Sequence, residues 1–273
     1  MGRGEGGRPL SGAGVVALVA GLVTAAGPDL ESVARSTAEQ NGKAVVTIRL
    51  VLKLKLQGQE HEQKLEVPGV VIDPSGLTVA SASAIDPSGV ARRMMEAQRQ
   101  RGSIESELKE AVLLLEDGTE LDAAVVLKDT DLDLAFVRPR DTGLKLSAVS
   151  LKPRPGTVPV LTRVFVLGRL SKLANRALAV ATGEVRAYVR GPAPYYVTDG
   201  ETSVFFGSLV YTADGVPLGL LVRRFATSFD SSAGGRSDTV MTVVRPVEKV
   251  LELAAQAKNI QPAAPAPESS PAN

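Results

Sequence analysis

Cysteine and tryptophan are absent from the 273 residues, and histidine occurs once, as His61. Without cysteine there is no disulfide, no thiolate nucleophile and no cysteine-ligated metal. A single imidazole excludes a histidine-built zinc site and leaves one candidate for any mechanism that needs a histidine base. Net charge is scarce too: 31 Lys and Arg against 30 Asp and Glu leave +1, which exerts no global pull toward nucleic acid or an anionic membrane. Arginines and aromatics are not interleaved along the chain as in nucleic-acid binders. Neither a cofactor nor a metal is expected. What is present in quantity is aliphatic: hydrophobic residues make up 44% of the chain, enough for one large core or two small ones.

The two ends differ from the body. Arg3 and Arg8 precede "GAGVVALVAGLVTAAG" (12–27), whose apolar core, Val15 to Val23, is too short for a mature membrane span. Val23 with Ala25, or Thr24 with Ala26, supply small residues at a cleavage site, so residues 1–26 read as a secretory signal peptide. Export to the periplasm or the medium is expected, with an uncleaved N-terminal anchor as the alternative. The segment 258–273, ending in "QPAAPAPESSPAN", is rich in Pro, Ala and Ser and is expected to be a disordered tail.

Between the ends, strand signals dominate. In "AVVTIRLVLKLKLQG" (44–58), Val46, Ile48, Leu50, Leu52, Leu54 and Leu56 alternate with Thr47, Arg49, Val51, Lys53 and Lys55. That period of two predicts a half-buried strand. "KLEVPGVVID" (64–73) returns as the second arm of a hairpin, which places His61 on a polar loop at its tip. "PSGVARRMMEAQRQRGSIESELKEA" (87–111) breaks the rhythm: Ile104, Leu108 and Ala111 fall at helical spacing, which predicts a helical insertion split near Gly102, either a solvated surface element or a partner-binding one. Strands resume at 111–129, around the turn Glu116 to Thr119, and at 132–139. A Pro-rich linker (150–159) leads to further strands at 160–170, 177–189, 193–200, 208–224 and 239–246. Pro246 opens a closing helix with Val247, Val250, Leu251 and Ala254 on one face. Two groups of short strands joined by a linker argue for two packed β-barrels or sandwiches.

Four segments, in order, give the chain a resemblance to the trypsin-like proteases, and more closely to the bacterial HtrA/Deg type of exported serine protease without its usual PDZ domain. They are "GVVIDPSGLTVASASAID" (69–86), "LLEDGTELDAAVVLKDTDLDLAFVRP" (114–139), "VFVLGRLSKLANRALAVATGEVRA" (164–187) and "TSVFFGSLVYTADGVPLGLLV" (202–222). The resemblance spans roughly residues 40 to 257. It implies an all-β fold of two six-stranded barrels, at 40–149 (with the insertion 87–111) and 158–257, the second carrying a C-terminal α-helix.

It also implies where a catalytic triad would lie. The histidine position of the family falls on Ser83, the aspartate position on Asp133, and the nucleophile position on Phe205, with Ser203 to Ser208 under the family's Gly-Asn-Ser-Gly-Gly-Pro. A triad needs a hydroxyl, a base to take its proton and an acid to orient the base. Ser83 is no base at neutral pH and Phe205 carries no lone pair, so the resemblance points to a pseudoprotease that binds rather than cuts. The bulky run Val204 to Phe206 is expected to remodel the turn that would form an oxyanion hole. Nine of the ten aromatics follow residue 160, and Tyr195, Tyr196, Phe205 and Phe206 are read as turn-borne candidates for binding a protein or peptide partner. Two rivals stay open: a working hydrolase with its site relocated around Ser83, Asp133 and Ser208, and a structural envelope protein. Oligomeric state is not legible.

Overall fold

A computed structural model describes residues 29–56, 58–97, 104–141, 143–200, 205–230 and 235–262. The expected signal peptide, Ser203, Val204 and most of the expected tail lie outside them. Twelve strands form two closed barrels, with strand order β1-β2-β3-β6-β5-β4 in the first and β10-β11-β12-β9-β8-β7 in the second. The all-β class, the two six-stranded barrels and the C-terminal helix are therefore as expected.

The first barrel comprises β1 (Val45–Leu56), β2 (Gln59–Val71), β3 (Thr78–Ser81), β4 (Ile104–Leu114), β5 (Glu120–Asp129) and β6 (Leu134–Pro139). Of the alternating residues of β1, Val46, Ile48 and Leu50 meet Val70, Val79, Leu113 and Phe136 in the core, and Leu52 is buried. The strand is not half-buried as expected, because Val45, Thr47 and Val51 on its other face are covered as well. The second barrel comprises β7 (Arg163–Arg169), β8 (Leu178–Val189), β9 (Tyr195–Thr198), β10 (Leu209–Thr212), β11 (Pro217–Asp230) and β12 (Gly235–Pro246).

Four α-helices accompany the barrels. α1 (Leu30–Asn41), which sequence periodicity did not flag, is capped by Asp29, whose carboxylate accepts from Ser32 N–H at 3.3 Å. It buries Leu30, Ala34 and Thr37 along one stripe and rests on β7 and β8. α2 (Ala82–Ile85) is one short turn after β3, and α3 (Ser88–Ala97) follows it. α4 (Val247–Ala257) closes the chain, its end fixed to the first barrel by Lys258 Nζ, 2.7 Å from Asp73.

Two expectations are corrected. The segment 104–111 is not helical but the start of β4, paired along β1. Its register slips between Val51 and Leu52, so Leu108 faces Leu52, Glu110 faces Val51 and Lys109 is left over as a bulge. The bulge inserts one residue into a period of two, and the apolar residues then mimic helical spacing. His61 is not in a loop but in β2, opposite Leu54, because the hairpin turns tightly at Gly58 with φ 86°.

Buried arginines lock the barrels together. Arg169 of β7 donates to the carbonyls of Val45 (2.6 Å) and Gly42 (3.1 Å) at the start of the first barrel. Arg245 of β12, fully buried, donates to Leu132 O at 3.3 Å and to Ala193 O and Pro194 O at 3.0 Å each. Arg138 of β6 donates to Lys258 O beyond α4 at 3.1 Å. Each guanidinium satisfies carbonyls that the seam would otherwise strand away from water.

Candidate functional site

The site is built where β3 ends and β6 begins, beside β11. Local sequence places Asp133 there. Asp129 accepts from the N–H groups of Asp131 (3.0 Å) and Leu132 (2.8 Å), which curls the chain. Asp133 then takes the left-handed conformation, φ 56°, which aspartate tolerates better than most residues. The carboxylate of Asp133, only 3% exposed, collects four donors: Ser83 N–H at 2.6 Å, Ser81 Oγ at 2.8 Å, Arg223 N–H at 2.8 Å and Ser83 Oγ at 3.2 Å. Burial pushes its carboxyl above the usual range, and the Arg223, Ser81 and Ser83 donors pull it back without cancelling that push.

Ser81 also starts α2, since its hydroxyl accepts from Ala84 N–H at 3.3 Å. The hydroxyls of Ser81 and Ser83 lie 3.2 Å apart. Ser83 and Asp133 are therefore brought together, as their segments imply.

The other half of the site is different. Phe205, at 4% exposed, is buried among Val164, Val166, Val210 and Leu221 in the core of the second barrel. Its ring lies over Gly168, where an added Cβ would come within 2.4 Å of it. Gly168 is thus the socket for the ring. The turn after it closes with Ser208 N–H to Phe205 O at 2.9 Å and Gly207 N–H to Leu221 O at 2.8 Å. Both N–H groups are spent inside the protein. In the described part of this turn the positive φ falls on Gly207 (92°), and Val204 lies outside the described residues. Gly207 also touches the first barrel: a Cβ there would meet Pro68 O at 2.6 Å and Ser81 N at 3.1 Å. Ser208 is fully buried, and its Oγ has no hydrogen-bond partner among the described residues. Like Phe205 it lies against Gly168, inside the second barrel and away from a substrate.

The four aromatic candidates part company. Tyr195 and Tyr196 are on strand β9 rather than on a turn, and are 9% and 4% exposed. Tyr196 accepts from Val158 N–H at 3.2 Å and packs on Tyr188, ring centroids 4.7 Å apart. Phe206 alone of the four is half-buried, with the guanidinium of Arg223 4.2 Å from its ring centroid.

Next to Ser83 and Asp133 opens a cleft of about 400 Å³, floored by Ala82, Ser83 and Asp133 and walled by α3, Lys128 and Phe225. α3 reaches both barrels here, packing on β4 and on β12. Its entry is held by Asp86, which accepts from Ser106 Oγ (2.6 Å), Ser88 Oγ (2.7 Å) and Lys128 Nζ (2.9 Å). Burial alone would raise this carboxyl, but Lys128, Ser106 and Ser88 outweigh it and bring it down to about 2. Lys128 is thereby held in an ion pair. His61 is exposed near the far end of the β1–β2 hairpin. Among the described residues, no group of three or more His, Cys, Asp or Glu is arranged to hold a metal.

Sequence reading missed Arg93, Arg223 and Phe225. The one available signal was the alternation of β11, in which Leu221, Arg223 and Phe225 share an edge. A scan against protein-family models matches residues 68–220, more than half of the chain, to the trypsin-like peptidase domain. No curated protein matches the chain significantly.

Proposed function

Because the chain belongs to the trypsin-like peptidase domain family, we propose that it is an exported, HtrA-like member that binds an extended peptide between its barrels and does not cut it. The family's chemistry requires a base between acid and nucleophile. At the position next to Asp133 stands Ser83, a group that donates to the carboxylate and cannot shuttle a proton at neutral pH. At the nucleophile's position stands a ring locked over Gly168. The relocated alternative fares worse on geometry, since the hydroxyl of Ser208 is buried with Phe205 against Gly168 while Ser83 and Asp133 lie where β3 ends and β6 begins.

The observation that carries the binding reading is the edge of β11. On that edge Leu221 bonds to Ser208 O and accepts from Gly207, and Arg223 N–H turns to Asp133. Two residues on, the backbone of Phe225 faces the same way, into the cleft that Phe225 lines, and no described strand pairs with it there. An open strand edge beside a groove is the requirement for adding an extended peptide. Export is supported by the charged, short apolar N-terminal sequence. Among the described residues no helix is long and apolar enough to cross a membrane.

The test is to incubate the purified protein with unfolded casein and a fluorophosphonate probe. Intact casein and an unlabelled protein are expected. Cleavage together with labelling at a serine, both abolished by Asp133→Ala, would establish a rewired hydrolase instead.

A further inference from the structure

We propose that the segment held in this groove is acidic, recognised by arginines that stand on aromatic rings around it; this rests on the peptide-binding reading above. Two guanidiniums cover rings beside this groove: Arg93 over Phe225 at 5.1 Å and Arg223, on the same face of β11 as Phe225, over Phe206 at 4.2 Å from the ring centroids. Arg92, exposed on α3, lines the same cleft as Arg93. Stacking engages the face of a guanidinium and fixes its plane, but leaves its edge N–H groups directed outward in the fork that fits a carboxylate. Among the described residues, none of Arg92, Arg93 and Arg223 forms an ion pair with a carboxylate.

The acidic groups of the cleft are mostly spoken for. Asp133 is buried under its four donors, and Asp86 is held by Lys128 and two serines. Glu96 on α3 remains, against Arg92 and Arg93 on the same helix, and Arg223 joins the cleft's edge through its N–H on Asp133. The formal charges lining the cleft balance, Arg92, Arg93 and Lys128 against Asp86, Glu96 and Asp133, but those not already held or buried are two arginines against one glutamate.

Arginines with aromatics also suit single-stranded nucleic acid, but there the bases stack on bare rings. Here both rings beside the groove, Phe225 and Phe206, already carry guanidiniums, and the open β11 edge offers backbone groups at the spacing of an extended peptide.

The experiment uses the full chain and three fluorescein-labelled peptides of equal length that differ only in bearing Glu, Gln or Lys at alternate positions, read by fluorescence anisotropy. The Glu peptide is expected to bind about tenfold or more tighter than the Gln peptide, and the Lys peptide more weakly than either. Arg92→Ala and Arg93→Ala, at exposed positions that circular dichroism can confirm as folded, should bring the Glu peptide toward the Gln value and leave the Gln peptide unmoved. Equal binding of all three peptides would overturn the acidic preference and leave the peptide-binding reading intact. Binding of none of them would overturn both. Displacement of the Glu peptide by a single-stranded oligonucleotide at equal or lower concentration would overturn the proposal in favour of nucleic acid.

Discussion

Asp133 and Phe205, which the family resemblance aligns with an acid and a nucleophile, are kept by opposite physics. Around Asp133 the protein maintains a polar nest, with two hydroxyls and two backbone N–H groups aimed at one buried carboxylate. Around Phe205 it maintains an apolar core, with valines, Leu221 and the flat face of Gly168 enclosing a ring. A carboxylate removed from water is tolerable only when its oxygens are satisfied, so the serines of β3 and α2 are part of what holds Asp133. A phenyl ring needs only volume and contact, which the valines, Leu221 and Gly168 supply at position 205. The first barrel thus holds a buried charge by hydrogen bonds, and the second holds a ring by packing.

Changes at these two positions should differ accordingly. The largest expected effect is Phe205→Ser, which empties the socket over Gly168 and buries a hydroxyl; the loss is about 3–5 kcal/mol in urea unfolding, with no gain of casein cleavage. Asp133→Ala comes next, at about 3 kcal/mol, because it strands two backbone N–H groups and two hydroxyls, whereas Asp133→Asn should cost less by keeping one acceptor.

The third effect is seen in pH. The Asp86 carboxyl is depressed to about 2, so the stability it contributes is present above its unfolded value and lost as pH falls through the folded one. Asp86→Asn should remove roughly 2 kcal/mol of that acid-side decline. Asp133 has the opposite sign. Its carboxyl is raised, so its contribution is present below the unfolded value and fades as pH rises through the folded one. Asp133→Asn should therefore flatten a limb that Asp86→Asn leaves alone, measured by urea unfolding across the acidic range.

The smallest effect is Ser83→His. It crowds a nearly buried position at a cost of about 1–2 kcal/mol and leaves casein intact, since position 205 still carries a ring. The double change with Phe205→Ser should also leave casein intact, because a side chain at 205 is directed toward Gly168 and away from the cleft. Hydrolysis by the double variant would show that the two halves of the site are closer to each other in chemistry than their packing implies.

Much of this was legible along the chain. Val46, Ile48 and Leu50 of β1, the turn at Gly118 and the closing helix after Pro246 follow from local periodicity and turn chemistry, and the family resemblance implied that Ser83 would stand beside Asp133. The start of β4 was not, because the bulge at Lys109 hides a strand inside a helical spacing, and only its partner β1 resolves the ambiguity. Tyr195 and Tyr196 looked like turn residues beside Pro194, yet they pair in β9 with β8 and turn their rings inward.

The sequence by itself determined which chemistry is available: no cysteine, a single histidine, a hydroxyl at position 83 and a phenyl ring at position 205. Those are properties of residue type, and no packing can supply a lone pair to a phenyl ring. Only the tertiary structure decided that Phe205 belongs to a core, that Ser81 and Arg223 complete the shell of Asp133, and that arginines from α3 and β11 meet aromatics far away in the chain. Burial, hydrogen-bond partners and stacking are relations between segments many residues apart, and closing two barrels against each other is what brings those segments into contact.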